Sequence, residues 1–351
     1  MMKKILVFFT GGTIGSKQSG DTIDVESSTA HIIGLYESYS DKEHVNFTVK
    51  QKINLLSENI VPKDWEYIIH ELKVAIQENQ YDGVIITHGT DTLPYSVAAV
   101  SFLFHDTTIP MVFIASNEPV VDHHSDGFIN FNAAVDLIVN DPIPRVLFIF
   151  QNTRGNIHVF LGTRIQQSLT FQHSFDSFEL LIWGEMCNRR LRMYHKPLPG
   201  QEEQIHDVQI LKPLPKKLDI QPRFDDRILY IQPYPGLSYD MLSFGSKKPK
   251  AIIHDMYHSS TSSIRESYSV IDFIKRCQHE GIDVFLTSFE DRAASYTTTH
   301  EILKSGAIPV YNMLKETSIV KLMLAYGNGL SAKEVIRFMN EQTIYIEHLH
   351  K

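Results

Sequence analysis

Short apolar runs alternate with stretches of helical periodicity along the first half of the chain. Residues 5–9 and 84–87 are unbroken apolar runs, which is typical of strands buried on both faces of a sheet. Between them, apolar side chains recur at helical spacing after Pro62. Further apolar runs follow at 111–115 and 146–150. This order predicts an α/β protein whose larger N-terminal domain has a mostly parallel sheet with helices on both faces.

The alternation lapses between about residues 194 and 226. Prolines and charged residues replace it there, a composition typical of a linker. Beyond this segment, apolar runs and helical spacing resume over a shorter length. We therefore predict an N-terminal domain of residues 1–193, a linker of residues 194–226 and a smaller C-terminal α/β domain of residues 227–351.

The overall charge argues against one large class of partners. The 351 residues include 33 Lys and Arg against 41 Asp and Glu, a net charge of -8, and form no dense basic run. We therefore expect no nucleic-acid partner, because a phosphate backbone is captured by clustered positive charge. No apolar run approaches the roughly twenty residues that span a bilayer, so we also expect no membrane association.

Cysteine usage and the amino terminus both favour the cytoplasm. Only Cys187 and Cys277 occur, about ninety positions apart, which suits a reducing compartment better than a disulfide framework. The apolar residues 5–9 run into Thr10 and two glycines and form too short a stretch for a signal peptide. We expect a buried first strand and a cytoplasmic protein.

The first polar loop follows the strand at residues 5–9. Its glycines, Gly11 and Gly12, allow a close approach of the backbone to a small ligand, and Thr13 presents a hydroxyl just beyond them. This arrangement suits acyl transfer. A strand-to-helix turn explains the same residues without any chemistry, and the Gly-x-Gly-x-x-Gly pattern of dinucleotide loops is absent.

The second polar loop has the sequence His-Gly-Thr-Asp-Thr and follows the strand at 84–87. Thr90, Asp91 and Thr92 place a carboxylate and two hydroxyls at the strand end. The alternative is that the aspartate only caps the next helix. Loops at the carboxyl ends of parallel strands line the ligand crevice of such sheets, so the two loops are expected to converge on one pocket.

Together, Thr-Gly-Gly-Thr-Ile at residues 10–14 and His-Gly-Thr-Asp-Thr at residues 88–92 resemble the two signature segments of the bacterial type I and II L-asparaginases. Further similar segments are Leu-Ser-Glu-Asn at 56–59, Ser-Asp-Gly from Ser125, and Tyr-Pro-Gly from Tyr234. The resemblance covers nearly the whole chain. It implies a two-domain amidohydrolase that acts on a small amide or amino acid, needs no metal or organic cofactor, and assembles as a homodimer or homotetramer.

The same resemblance implies a role for each matching residue. Thr13 is the expected nucleophile, while Thr90 and Asp91 belong to the cluster that handles the proton and holds the substrate ammonium. Substrate contacts are expected from Gly12, Ser57, Glu58, Gly89 and Ser116. A threonine hydroxyl needs a neighbour that accepts its proton, and backbone N–H groups stabilise the oxyanion.

Two expected helpers of the nucleophile are missing from the sequence. The family relies on a lysine, and our alignment places Gln166 at that position, close to Arg164. The family also uses a tyrosine on the mobile loop after its first motif, where Thr22 is the nearest equivalent here. A glutamine side chain cannot accept and return a proton. The open alternatives are an altered substrate, weak residual hydrolysis, or an amide-binding sensor on the same scaffold.

Further alternatives come from the rest of the chain. An amidotransferase glutaminase component would need a partner subunit, for which the sequence gives no signal. His254 and His258 have a spacing that binds zinc on a helix, yet the apolar residues before them predict a strand. The adjacent His123 and His124 are expected to be solvated, and the aromatic residues near Phe175 to form core or a dimer contact.

Overall fold

The computed structural model describes residues 2–11, 25–38, 45–120, 123–175, 181–194, 214, 219–289 and 296–349. The chain divides into two compact units, Met1–Pro222 and Arg223–Lys351. Most of the predicted linker lies outside the described residues, so its limits stay a prediction.

A single sheet of eight described strands forms the centre of the first unit. Its spatial order is β2-β1-β3-β4-β5-β6-β7-β8. The first five strands in this order pair in parallel, and the last three continue the sheet as antiparallel neighbours. The strands are β1 (Lys3–Gly11), β2 (Val45–Leu55), β3 (Gly83–Thr87), β4 (Met111–Ile114), β5 (Val146–Gln151), β6 (Ile157–Leu161), β7 (Ile182–Cys187) and β8 (Arg190–Met193).

Four α-helices among the described residues of this unit pack in two pairs. They are α1 (Val25–Ser38), α2 (Pro62–Glu78), α3 (Leu93–Leu103) and α4 (Asp126–Asn140). In the first pair, the rings of Tyr36 on α1 and Phe131 on α4 meet edge to face. In the second, the indole N–H of Trp65 on α2 donates to the Ser96 hydroxyl on α3 at 2.9 Å. The predicted α/β class and mostly parallel sheet are confirmed.

The second unit has its own parallel sheet of four described strands, in the order β12-β11-β10-β9. Its core is formed by side chains such as Ile252, Phe273 and Leu286, each no more than 2% exposed. The strands are β9 (Ile228–Ile231), β10 (Ala251–His254), β11 (Asp283–Phe289) and β12 (Ile308–Tyr311). The helices are α5 (Val270–His279), α6 (Thr297–Lys304), α7 (Lys315–Gly327) and α8 (Ala332–Asn340). The smaller second α/β unit is also confirmed.

Two further observations concern features considered in the sequence, a membrane span and a pair of histidines. Among the described helices, none is long and apolar enough to cross a membrane. His254 is the last residue of β10 and is fully buried, so the pair His254 and His258 does not lie on one helix.

Candidate active site

The candidate site lies at the carboxyl edge of the first sheet, where parallel strands end side by side. There the Thr10 hydroxyl near the end of β1 donates to the carbonyl of Thr87, the last residue of β3, at 2.6 Å. The N–H of His88 donates to the carbonyl of Ile114, at the end of β4, at 3.0 Å. These two bonds tie the ends of three neighbouring strands together, so the loops that leave them begin at one place.

Gly11 brings the end of β1 against the end of β2. Its φ is +119°, which L-residues with side chains rarely adopt, and a Cβ atom there would collide with the backbone carbonyl of Leu55. The pairing of β1 with β2 shifts register between Phe9 and Gly11. Gly11 therefore lies opposite Leu55, two positions before Ser57. A glycine is required here for a packing reason as well as for any approach of a ligand.

Ser57 and Asp91 meet across the site. Ser57 is 4% exposed and begins a short 3-10 helix, Ser57–Asn59, after β2. Its hydroxyl donates to a carboxylate oxygen of Asp91 at 3.3 Å. The hydroxyl of Thr92 in turn donates to the backbone carbonyl of Ser57 at 2.7 Å. The predicted substrate-binding serine and the predicted catalytic aspartate are therefore direct partners.

Gln167 joins the same cluster. Its side-chain amide donates a short hydrogen bond to the backbone carbonyl of Asp91. The sequence alignment placed Gln166 at the lysine position, whereas the side chain with this contact belongs to the next residue. Gln167 is neutral, so the group touching Asp91 from this side cannot take up a proton.

The other predicted residues of the two loops differ in accessibility. Gly89 is buried, Thr90 is half-buried, and Asp91 and Glu58 are exposed. Gly12 and Thr13 lie outside the described residues, as does Thr22. The structure therefore brings together Ser57, Asp91 and their neighbours, and the position of the expected nucleophile stays a prediction.

Ser116 follows β4 and is held by Asp126 at the start of α4. The Ser116 hydroxyl contacts an Asp126 carboxylate oxygen at 2.8 Å and the backbone carbonyl of Glu118. The second carboxylate oxygen of Asp126 accepts the N–H of Asn117 at 2.6 Å. A hydroxyl has only one proton to donate. In this arrangement Ser116 and Asp126 fix the turn after β4, and sequence reasoning did not identify that role for Asp126.

His88 is a buried titratable group at the start of the second loop. It is 1% exposed, and burial lowers its pKa to about 4, although the bond to Gly89 and the charge of Asp91 act in the opposite direction. Its Nδ1 atom lies 2.7 Å from the Gly89 carbonyl oxygen. The ring is therefore neutral near pH 7 and is attached to the loop that carries Thr90 and Asp91.

Comparison with known proteins identifies the family. Residues 4–199 match the family described as Asparaginase, N-terminal, and this segment includes every site residue named above. The match covers more than half of the chain. The protein belongs to the asparaginase family. It is accordingly an amidohydrolase of that family.

Individual relatives of the asparaginase family match over almost the whole chain. L-asparaginase 1 of Escherichia coli K12 is 26% identical over 351 residues, which cover 97% of this chain and 96% of the relative. A glutamyl-tRNA(Gln) amidotransferase component of Pyrococcus abyssi is also 26% identical, over 96% of this chain and 75% of the relative. The solved structure of the thermostable L-asparaginase from Thermococcus kodakarensis aligns with a TM-score of 0.77 at 25% identity and covers 98% of this chain and 99% of its own.

Proposed function

We propose that this protein hydrolyses the side-chain amide of a small amino-acid-like substrate through Thr13 and releases ammonia. The observation that carries the proposal is the contact between Ser57 and Asp91 at the sheet edge where Gly11 ends β1. Thr13 follows Gly11 by two positions in the sequence. Hydrolysis of an amino-acid amide requires a hydroxyl nucleophile. It also requires groups that bind the amino-acid part of the substrate, which a carboxylate and a serine can provide.

The proposed reaction has two steps. The Thr13 hydroxyl attacks the amide carbon and gives up its proton, and backbone N–H groups stabilise the resulting oxyanion. The C–N bond breaks as the amine receives a proton, so ammonia leaves and an ester to Thr13 remains. Water then hydrolyses the ester and regenerates the hydroxyl. Asp91, whose carboxylate already accepts a hydrogen bond from Ser57, would hold the substrate ammonium.

The neutral side chain of Gln167 is the argument for a substrate other than free L-asparagine. The family relies on a lysine beside the second motif, and the contact with Asp91 is made here by a group that does not titrate. Proton transfer must then use another acceptor or the substrate itself. A larger or modified amino-acid amide is the substrate class we propose.

Ammonia release is the direct test. The purified protein and Thr13→Ala are given L-asparagine, L-glutamine and a panel of small amides, with Thr153→Ala in the exposed turn after β5 as the matched control. Loss of the nucleophile should reduce kcat by about a thousandfold or more, while the control should retain wild-type rates. Equal rates in the wild type and Thr13→Ala would remove Thr13 as the nucleophile.

The alternative that the structure best supports is an amide-binding sensor. The Ser57–Asp91 pair and the neutral amide of Gln167 form a polar cluster that could bind an amide or amino acid without turning it over. Calorimetry that detects micromolar binding of an amino acid or amide, together with no ammonia release, would favour this function. Steady turnover of the same compound would exclude it.

A role in an amidotransferase is a second alternative. It rests on the 26% identity to a protein named as a component of a glutamyl-tRNA(Gln) amidotransferase, across 96% of this chain. Such a component would deliver ammonia to a partner protein. Co-purification of a synthetase-like protein that raises glutamine hydrolysis supports this alternative, and full turnover by the isolated chain counts against it.

We further propose a cytoplasmic homodimer or homotetramer. Large apolar side chains are exposed in the second unit, in segments that follow its strands: Tyr234, Met241, Tyr257 and Tyr296. Tyrosine and methionine are enriched at protein–protein interfaces relative to the rest of the surface. Cys187 and Cys277 are both free thiols, which suits a reducing compartment. Light scattering of the purified chain tests the assembly, and cell fractionation tests the location.

A further inference from the structure

We propose that His88 is a positioning residue that aims the backbone N–H of Thr90 at the substrate. This inference rests on the proposed function, because it concerns the same loop. His88 itself is not expected to touch the substrate, since its ring is buried. It acts through the peptide bond that joins Gly89 to Thr90.

The contact between His88 and Gly89 fixes the tautomer of the imidazole. The Nδ1 atom lies 2.7 Å from the Gly89 carbonyl oxygen. A carbonyl oxygen only accepts hydrogen bonds, so Nδ1 must carry the proton. The neutral ring then has its lone pair on Nε2, which is buried and has no hydrogen-bond partner within the described residues. The side chain therefore uses its single N–H donor on the loop that it precedes.

The same bond orients a donor on the opposite side of the loop. The carbonyl of Gly89 and the N–H of Thr90 belong to one planar peptide unit, and in a trans peptide they point in opposite directions. The carbonyl faces the buried imidazole, so the N–H faces away from it. Thr90, the residue that carries this donor, is only half-buried, whereas His88 and Gly89 are buried.

The Thr90 N–H is available for a ligand. Within the part of the chain that the structure describes, it donates to no protein acceptor. The loop also leads directly into α3, whose amino terminus favours negative charge. An N–H that is held in place before the substrate arrives stabilises a developing negative charge without reorganisation. His88 supplies that preorganisation by holding the carbonyl end of the peptide.

A matched pair of substitutions separates this role from simple packing. In His88→Asn the side-chain amide nitrogen occupies the place of Nδ1 and can donate to the Gly89 carbonyl. In His88→Gln the amide extends toward the place of Nε2 and leaves that carbonyl without its donor. Both variants replace a neutral imidazole by a neutral amide, so the loss of the ring is common to them. His88→Leu is a second variant without a donor, with an apolar side chain suited to the buried position.

Two measurements are made on each variant of the full chain. The first is kcat and KM with the amide that the wild type hydrolyses fastest. His88→Asn should keep kcat within about fivefold, whereas His88→Gln and His88→Leu should lose about thirtyfold or more with KM nearly unchanged. The second is the amide signal of Thr90 in protein labelled with 15N-threonine. Its shift and hydrogen exchange should match the wild type only in His88→Asn.

Equal losses of kcat in His88→Asn and His88→Gln would overturn the proposal, because packing alone would then account for the effect. An unchanged Thr90 amide signal in His88→Gln would overturn it as well. If the wild type releases ammonia from no amide, the proposed function fails, and the Thr90 signal alone then decides whether His88 orients this peptide.

Discussion

The Ser57 hydroxyl lies 3.3 Å from a carboxylate oxygen of Asp91, although 34 positions separate the two residues in the chain. One residue follows β2, and the other belongs to the loop after β3. The Thr92 hydroxyl adds a second link to the carbonyl of Ser57. The two loops are thus held together by polar side chains, and Ser57 and Asp91 among them are residues expected to contact the substrate.

We predict that Ser57 and Asp91 contribute to substrate binding as a unit. Asp91→Asn removes the charge expected to hold the substrate ammonium and should reduce kcat/KM by about a hundredfold or more. Ser57→Ala should cost about tenfold. In the double variant the losses should be less than multiplicative, because residues in contact do not act independently. Steady-state kinetics of the four proteins checks this, and independent losses would contradict it.

We predict that Gln167→Lys increases ammonia release from L-asparagine by about tenfold or more. A lysine at this position would keep a donor near the Asp91 carbonyl and add an amine that can exchange protons. The gain should appear in kcat and should depend on pH through one added titration. The measurement is the pH profile of kcat for the wild type and the variant.

Gln166→Lys is the matched control for this experiment. It adds the same side chain at the neighbouring position, and we expect it to leave the rate within about twofold of the wild type. A gain in Gln166→Lys without one in Gln167→Lys would support the sequence alignment over the observed contact.

The fold was predictable wherever a strand is buried on both faces. The runs that predicted β1, β3, β4 and β5 are continuous and apolar, and all four strands are almost wholly buried. β2 was not predicted, because its residues are only half-buried and mix polar with apolar side chains. The antiparallel strands β7 and β8 also escaped prediction, since their alternating burial carries a weaker signal than a continuous apolar run. The short strand β6 escaped it as well, because a histidine interrupts its apolar residues.

The candidate site was predictable in part for a similar reason. Ser57 and Asp91 lie in motifs that can be recognised in a sequence, and the structure places them in contact. Gln167 and Asp126 act through contacts with residues 76 and 10 positions away, which no local pattern encodes. The alignment places Gln166 at the lysine position, and the contact with Asp91 is made by the next residue, Gln167. The role of His88 depends on the direction of a backbone carbonyl, which a sequence does not reveal.

We predict that Gly11→Ala abolishes activity and destabilises the first unit by about 3 kcal/mol or more. The added Cβ would collide with the Leu55 carbonyl at a backbone conformation that alanine disfavours. Gly34→Ala in α1 is the control, because a Cβ there meets no atom within 4 Å. It should stabilise the protein by about 0.5–1 kcal/mol through helix propensity. Denaturant unfolding of both variants checks the contrast.

We predict that Lys321→Met destabilises the protein by about 3–5 kcal/mol, because it leaves the buried Glu347 carboxylate without its partner. The two side chains are fully buried and 2.7 Å apart. The carboxylate also accepts the N–H groups of Ile344 and Tyr345, on a turn in which Ile346 has a φ of 56°. The pair thus holds a strained turn near the end of the described chain.

Lys63→Ala is the control for the buried pair. Lys63 forms an ion pair with Glu66 at 2.6 Å, but the lysine side chain is 79% exposed. Its loss should change the free energy of unfolding by no more than about 0.5 kcal/mol. Denaturant unfolding near pH 7 compares the two variants. Similar small changes in both would show that the buried pair adds nothing beyond an exposed one.

The last prediction concerns the acid stability of the second unit. Burial lowers the pKa of His254 to about 4 from its ordinary value of 6.5, and its Nε2 atom lies 2.7 Å from the Tyr239 hydroxyl. Between these two pH values the unfolded chain binds a proton that the folded chain does not. The contribution of His254 is therefore complete above about pH 6.5 and is lost as the pH falls toward 4. In that range the free energy of unfolding should fall by about 1.4 kcal/mol per pH unit because of this group.

In His254→Gln, which keeps a polar group near Tyr239 but does not titrate, the decline should be shallower by that slope. The exposed His258, changed to glutamine, should leave the slope unchanged. Unfolding free energies measured from pH 4.5 to 7 decide the matter, and identical slopes in all three proteins would show that His254 titrates normally in the folded state.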